Sequence, residues 1–167
     1  MNRQLLILGA GAHGNVVAET ATEMKCFQEI KFLDDSNKKN YIIGKLEDYQ
    51  RFSSYYSDAF VAFGAPELRD FWLKKLIPFY NIPYLVHPRA WVSCNAKIEY
   101  GSIIEAMACI NTNTVVHYGA IIGIGTLVDH DVEVGAMAHL DCGVVVPPRQ
   151  HIPEKTKVSA GTIFFNN

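Results

Sequence analysis

No stretch of this 167-residue chain approaches the ~18 consecutive apolar residues that a membrane-crossing helix needs, so no membrane partner is expected. Cysteine is scarce: Cys26, Cys94, Cys109 and Cys142 lie far apart with no Cys-x-x-Cys pair. That excludes a disulfide-stapled scaffold and points to reduced thiols in the cytoplasm. Charge is also sparse, with 19% Asp, Glu, Lys and Arg and a formal net charge of -2, which leaves no basic footprint for nucleic acid or acidic lipid. The start, Met1 to Ala12, imitates a secretion signal, with Arg3 ahead of Leu5-Leu6-Ile7-Leu8. The apolar run is short for a signal core, however, and leads straight into a glycine turn that reads as structure. What the chain does have is 49% hydrophobic and 11% aromatic residues, enough for one ordinary core or two small ones.

The second half carries a repeat. Stepping by six from Val92 to Val158 meets an aliphatic residue at all twelve positions, among them Ile104, Ile122, Val134 and Val146. Four residues after each stands a small or β-branched residue in all but one case, the exception being Gln150. A period of two is a flat strand and 3.6 a helix, whereas a period of six with one obligatory aliphatic describes a chain that turns a corner at every repeat. Three repeats close a triangular coil of 18 residues, and coils stack at the ~4.8 Å parallel-strand spacing around an aliphatic ladder. The expected fold is therefore an all-β left-handed parallel β-helix of about four coils, over residues 85–167. An ordinary β-sandwich would not hold one phase across twelve steps. Pro147-Pro148 predicts a local distortion of one corner.

The first half, residues 1–84, reads as an α/β half-Rossmann domain. Leu5-Leu6-Ile7-Leu8 is a buried strand, Gly9-Ala10-Gly11-Ala12-His13-Gly14 a glycine turn, and Val16 to Met24 an apolar-periodic helix. Such a turn brings backbone N–H groups and a helix N-terminus close to a phosphate, although it also serves plain helix–sheet packing. A second strand, Ile30 to Leu33, ends in Asp34-Asp35, where a carboxylate can accept hydrogen bonds from a ribose or base. A third, Ala59 to Phe63, ends at Gly64, and Pro66 opens a helix from Glu67 to Leu76. Some 85 residues are about half of a full dinucleotide domain, so a nucleotide ligand fits better than NAD.

A glycine-turn half-Rossmann domain followed by a hexapeptide helix resembles the NeuD/PglD group of sugar acyltransferases. The stretches that carry the resemblance are Ile7 to Gly14, Phe32-Leu33-Asp34-Asp35, Val61-Ala62-Phe63-Gly64, Val86-His87-Pro88 and Val128-Asp129-His130-Asp131. The resemblance implies a homotrimer that transfers an acetyl group from acetyl-CoA to a nucleotide-linked amino-sugar for surface glycan or lipopolysaccharide biosynthesis, with no metal. It places the general base at His130, with Asp131 as its acid partner. It places the thioester end of acetyl-CoA at His139 and another acetyl-CoA contact at Ala160. Gly11, His13, Gly14, Asp34, Asp35 and Gly64 become the sugar-nucleotide site. The chemistry suits these residue types: an ammonium cannot attack a thioester until it loses a proton, and imidazole accepts one near neutral pH.

The family usually has Glu after the histidine, so Asp131 is a methylene shorter and Asp129 is an alternative partner. Hexad counting also gives one 18-residue coil fewer than the family pattern, which raises a non-catalytic nucleotide-sugar-binding protein as an alternative. A sialic-acid type O-acetyltransferase is a second. A zinc enzyme of the γ-carbonic anhydrase kind would use His117, His130 and His139, but their spacings do not match that pattern.

Overall fold

The computed structural model describes residues 3–36 and 39–166. Met1, at the signal-like start, and Asn167, at the end of the last coil, lie outside the described residues. The chain divides into two compact units, Met1–Pro83 and Tyr84–Asn167.

The first unit is built on a four-stranded parallel sheet of strands β1 (Arg3–Leu8), β2 (Phe27–Leu33), β3 (Ile42–Gly44) and β4 (Asp58–Val61), in the order β3-β2-β1-β4. Leu5, Leu6, Ile7 and Leu8 are completely buried, because a central parallel strand is covered on both faces. Helix α1 (Ala12–Glu23) joins β1 to β2 and turns Gly14, Val17, Thr20 and Ala21 inward, the three-and-four spacing of one helical face. Helix α2 (Pro66–Leu76) follows β4 with proline in its first turn. The strands and helices run slightly longer or start earlier than expected. Strand β3 and a 3₁₀ helix at Leu46–Phe52 were not anticipated. The strand order reverses between β1 and β4, so the loops that leave these strands flank the crevice where open α/β sheets bind ligands.

The second unit is a left-handed parallel β-helix. Among the described residues it has thirteen two-residue strands repeating every six positions, from β5 (Leu85–Val86) to β17 (Lys157–Val158). The helix thus begins one repeat before Val92, and a further bridge joins Val145 to Ile163. The strands form three flat sheets, β5-β8-β11-β14-β17, β6-β9-β12-β15 and β7-β10-β13-β16. Register is 18 residues throughout, as in Val116 with Val134 and Val134 with Ile152. The second residue of each strand points inward, and Ile104, Ile110, Val116, Ile122, Val134 and Leu140 are all fully buried.

Every sixth residue from Gly101 to Gly161 has left-handed backbone, with φ between 56° and 70°. Glycine holds five of these corners, and Met107, Asn113, Asp131, Met137, Arg149 and Lys155 hold the rest. Each costs some strain in a non-glycine residue. The coils offset it with hydrogen bonds between successive corners, such as Asp131 N–H to Thr112 O at 3.1 Å and Arg149 N–H to His130 O at 3.1 Å. Buried hydroxyls serve the same corners: Thr114 Oγ1 donates to Asp129 O at 2.7 Å and accepts from Val132 N–H at 3.3 Å. The corner at Pro147-Pro148 is not distorted. Arg149 there has the same left-handed φ of 61°, and β16 (His151–Ile152) pairs in register with β13 (Glu133–Val134). Asn111 and Asp129, at Pro147's place in earlier coils, donate their N–H to Val128 O and Val146 O, so Pro147 gives up one such bond, and only toward the last coil.

Candidate active site

In the first unit, Gly11 is the N-cap of α1, with no side-chain cap and no acidic residue in the first turn. The helix start therefore carries partial positive charge that neither an N-cap side chain nor an acidic residue of its first turn offsets. Gly14 is buried where a Cβ would come within 2.1 Å of Gly9 O, so its lack of a side chain is a packing requirement. At Gly11 and Gly64 a Cβ would meet nothing within 4 Å, and neither has left-handed backbone. His13 is half-buried in the first turn of α1.

Asp34 ties this region together. Its Oδ2 accepts from Ala10 N–H at 2.7 Å, and its Oδ1 accepts from Ser36 N–H at 2.9 Å and Ser36 Oγ at 2.8 Å. It clamps the glycine turn to the loop after β2. Asp35 is exposed, with Oδ1 accepting from Leu46 N–H at 3.0 Å. Sequence reasoning missed Arg69, whose fully buried guanidinium donates to Phe63 O at 2.7 Å and Gly64 O at 2.9 Å. Burial pushes its pKa down to about 10, opposed by Glu67. It fixes the loop leaving β4, and only an arginine on the inward face of α2 marked it.

In the second unit, His130 and Asp131 are the two turn residues between β12 (Leu127–Val128) and β13. His130 Nδ1 lies 2.8 Å from Asp131 Oδ2. Asp131 reaches the ring despite its shorter side chain, on a corner whose φ is 56°. Its other oxygen, Oδ1, accepts from Asn113 Nδ2 at 3.0 Å, one coil away. The hydrogen bonds from His130 and then from Asn113 hold the Asp131 carboxyl below its ordinary pKa, with Arg149 adding positive charge nearby. Asp129 is occupied differently: its Oδ1 accepts from His130's own N–H at 2.7 Å and from Asn111 Nδ2 at 2.9 Å. The partner on the imidazole ring is thus Asp131, and Asp129 holds the backbone of the corner.

With Nδ1–H directed at a carboxylate, the imidazole presents Nε2 as its basic atom. The ring is about one-third exposed, so an acceptor can reach it. Beside this corner, on the outer face of the β6-β9-β12-β15 sheet, runs a groove of about 540 Å³ lined by Trp91, Cys109, Leu127, Val145, Asp129 and Pro147.

His139 does not join His130 within one chain. It opens β14 (His139–Leu140), after β13 and a further corner, so it faces outward from a different side of the triangular coil. Ala160 is exposed on the corner that follows β17, at the exit of the same sheet as His139. His117 stands apart again, with Nδ1 3.2 Å from Glu99 Oε2 and Nε2 2.8 Å from Glu133 Oε1. Among the described residues no group of three or more His, Cys, Asp and Glu could hold a metal ion. No helix among them is long and apolar enough to cross a membrane.

Residues 4–76 match the family model of the PglD N-terminal domain. The acetyltransferase domain of PglB from Neisseria gonorrhoeae FA1090 is 31% identical over 96% of this chain and 81% of that chain, with a TM-score of 0.91. The chain belongs to the NeuD/PglD-like family of sugar acyltransferases. A second structure of the same PglB domain, in complex with acetyl coenzyme A, matches at 28% identity over 99% of this chain and 92% of that chain, with a TM-score of 0.88. PerB from Caulobacter crescentus, in complex with CoA and GDP-perosamine, matches at 26% identity over 95% of this chain and 86% of that chain, with a TM-score of 0.84. PerB is a GDP-perosamine N-acetyl transferase. This family member keeps both parts of the architecture, an α/β unit with a glycine turn and a β-helix with a histidine–carboxylate corner.

Proposed function

We propose that this acyltransferase moves the acetyl group of acetyl-CoA to the amine of a nucleotide-linked amino-sugar, in the cytoplasm, during surface glycan or lipopolysaccharide biosynthesis. The observation that carries the reading is the His130 Nδ1 to Asp131 Oδ2 contact of 2.8 Å on a solvent-accessible β-helix corner. Asp131 fixes the tautomer and stabilises the imidazolium as it forms. His130 Nε2 removes the proton from the sugar amine, and the nitrogen lone pair attacks the thioester carbonyl. The tetrahedral intermediate collapses with cleavage of the C–S bond, and the proton held on His130 passes to the departing CoA thiolate. No acyl-enzyme is involved. Cys142 is exposed on a corner where its N–H donates to Asp141 Oδ1 at 2.9 Å, and among the described residues no base hydrogen-bonds its sulfur.

His139 orients the thioester end of acetyl-CoA, and Ala160 contacts the same substrate. Because His139 and His130 face away from different sides of one coil, a complete site needs His130 of one copy and His139 of another. That supports a homotrimer with sites between adjacent β-helices. In the first unit the uncapped start of α1, with Gly11, His13 and Gly14, receives the nucleotide phosphates. Gly64 borders them, Asp34 holds the turn, and exposed Asp35 contacts the nucleoside.

The test is thiol release from acetyl-CoA with a panel of UDP-, TDP- and GDP-linked amino-sugars, with product mass recorded. An increase of one acetyl group on the amine supports the reading. Acetylation of a hydroxyl replaces it with an O-acetyltransferase, and nucleotide-sugar binding without thiol release replaces it with a binding protein.

A further inference from the structure

We infer that Asn113 is the positioning residue that holds Asp131 in the orientation His130 requires; the inference rests on the acetyltransfer reading above. An aspartate carboxylate rotates readily about its last torsion, which is broad and two-fold. A half-exposed carboxylate bound through one oxygen alone would exchange its partner for water. Here both oxygens are used. Oδ2 meets His130 Nδ1 at 2.8 Å and Oδ1 meets Asn113 Nδ2 at 3.0 Å, so the amide closes a three-residue chain that stops the rotation.

The β-helix sets this geometry. Asn113 and Asp131 occupy the same corner one coil apart, with left-handed φ of 59° and 56°, and the Asp131 N–H to Thr112 O bond of 3.1 Å keeps the corners aligned. Asn95, below them in the same column, donates instead to Thr112 Oγ1 at 3.3 Å. Arg149, above, adds positive charge near Asp131. Asn113 is therefore the side-chain donor that addresses the carboxylate from a neighbouring coil.

The fold supplies a mild variant. Glycine already occupies this corner position at Gly101, Gly119, Gly125, Gly143 and Gly161, so Asn113→Gly removes the donor and keeps the backbone. Asn113→Asp also tolerates the left-handed corner but sets a second carboxylate against Asp131. The expected result is a roughly fivefold to tenfold fall in kcat for Asn113→Gly, a larger fall for Asn113→Asp, and KM for acetyl-CoA within about twofold. In an Asp131→Asn background, Asn113→Gly should have no further effect, because the two residues act in one chain.

A readout independent of turnover is the ¹⁵N NMR signature of His130. The wild type should show the Nδ1–H tautomer, and Asn113→Gly a mixture of tautomers. An unchanged His130 signature in Asn113→Gly overturns the positioning role whether or not the protein is active. An equal loss of kcat in both backgrounds overturns it as well, by marking the effect as structural. Wild-type protein that shows the expected tautomer and its change, yet transfers no acetyl group, leaves the positioning intact and removes the acetyltransfer reading.

Discussion

Three glycines of the first unit separate packing from ligand approach. At Gly14 a Cβ would stand 2.1 Å from Gly9 O, so that oxygen must retreat by roughly 1 Å. Gly9 is not free to retreat: its N–H donates to Leu33 O at 2.9 Å, and the next N–H, of Ala10, donates to Asp34 at 2.7 Å. Overpacking of this kind costs up to about 3 kcal/mol, and alanine returns about 1 kcal/mol of helix propensity. Gly14→Ala should therefore destabilise by about 2 kcal/mol, a fall in Tm of roughly 4–8 °C for a chain of this size.

Gly11→Ala and Gly64→Ala meet no atoms within 4 Å. Gly11→Ala loses up to about 1 kcal/mol at the N-cap and regains about 0.4–1 kcal/mol from the stiffer unfolded chain, so its Tm should stay within a few degrees. Gly64→Ala should be neutral or slightly stabilising. The assay is thermal unfolding with and without a nucleotide-sugar. At about 100 times Kd the ligand should add roughly 2.7 kcal/mol to the wild type, and Gly11→Ala and Gly64→Ala should lose most of that gain. A Gly14→Ala protein that melts no lower than wild type would refute the packing argument. Full ligand stabilisation of Gly11→Ala and Gly64→Ala would refute the claim that these glycines clear space for a ligand.

Asp131→Asn should lower kcat by roughly 10²- to 10⁴-fold at unchanged fold, since the amide no longer stabilises an imidazolium; steady-state kinetics with a matched Tm checks it. Ile122→Ala, in the fully buried ladder, should cost about 2–5 kcal/mol, read from denaturant unfolding, whereas Ile124→Ala on an exposed corner should change little. The outer face of the β7-β10-β13-β16 sheet carries Glu99, His117, Glu133 and His151, with Lys97 beside Glu99. Burial disfavours the charged form of His117, but the hydrogen bonds and charge of Glu133 and Glu99 outweigh it and raise its pKa. The hydrogen bond from His117 in turn lowers that of Glu133. The His117 contribution is complete below its unfolded value of about 6.5 and lost as pH rises through the raised folded value; the Glu133 contribution is present above about 4.3 and lost as pH falls. Tm against pH should thus show a decline as pH rises above about 6.5 that His117→Gln removes, and matching curves for the two proteins would contradict the assignment.

The six-residue period was legible because each repeat has one obligatory inward aliphatic, and a single slip would break the ladder. The corners were legible only in part. Glycine announces a left-handed residue at Gly119 or Gly143, but Met137 and Arg149 adopt the same conformation because hydrogen bonds from the neighbouring coil impose it. Strand β3 is three residues long and the 3₁₀ helix has no 3.6-residue pattern, so neither left a periodic trace. Asp129 and Asp131 flank His130 symmetrically in sequence, and backbone geometry alone separates them: Asp129 closes onto the His130 N–H, and the left-handed Asp131 meets the ring. Asn113 lies 18 residues before Asp131, a spacing that carries meaning only once the coil length is applied to side chains as well as to strands.

The proposed catalytic site is assembled from His130 of one copy and His139 of another. His130→Ala and His139→Ala should each be inactive in thiol release. Unfolded together at equal amounts and reassembled, they should recover about a quarter of wild-type activity, the fraction of heterologous interfaces in a three-fold ring that pair the two intact histidines. No recovery from mixed assemblies whose composition is verified by mass would contradict a site shared between copies.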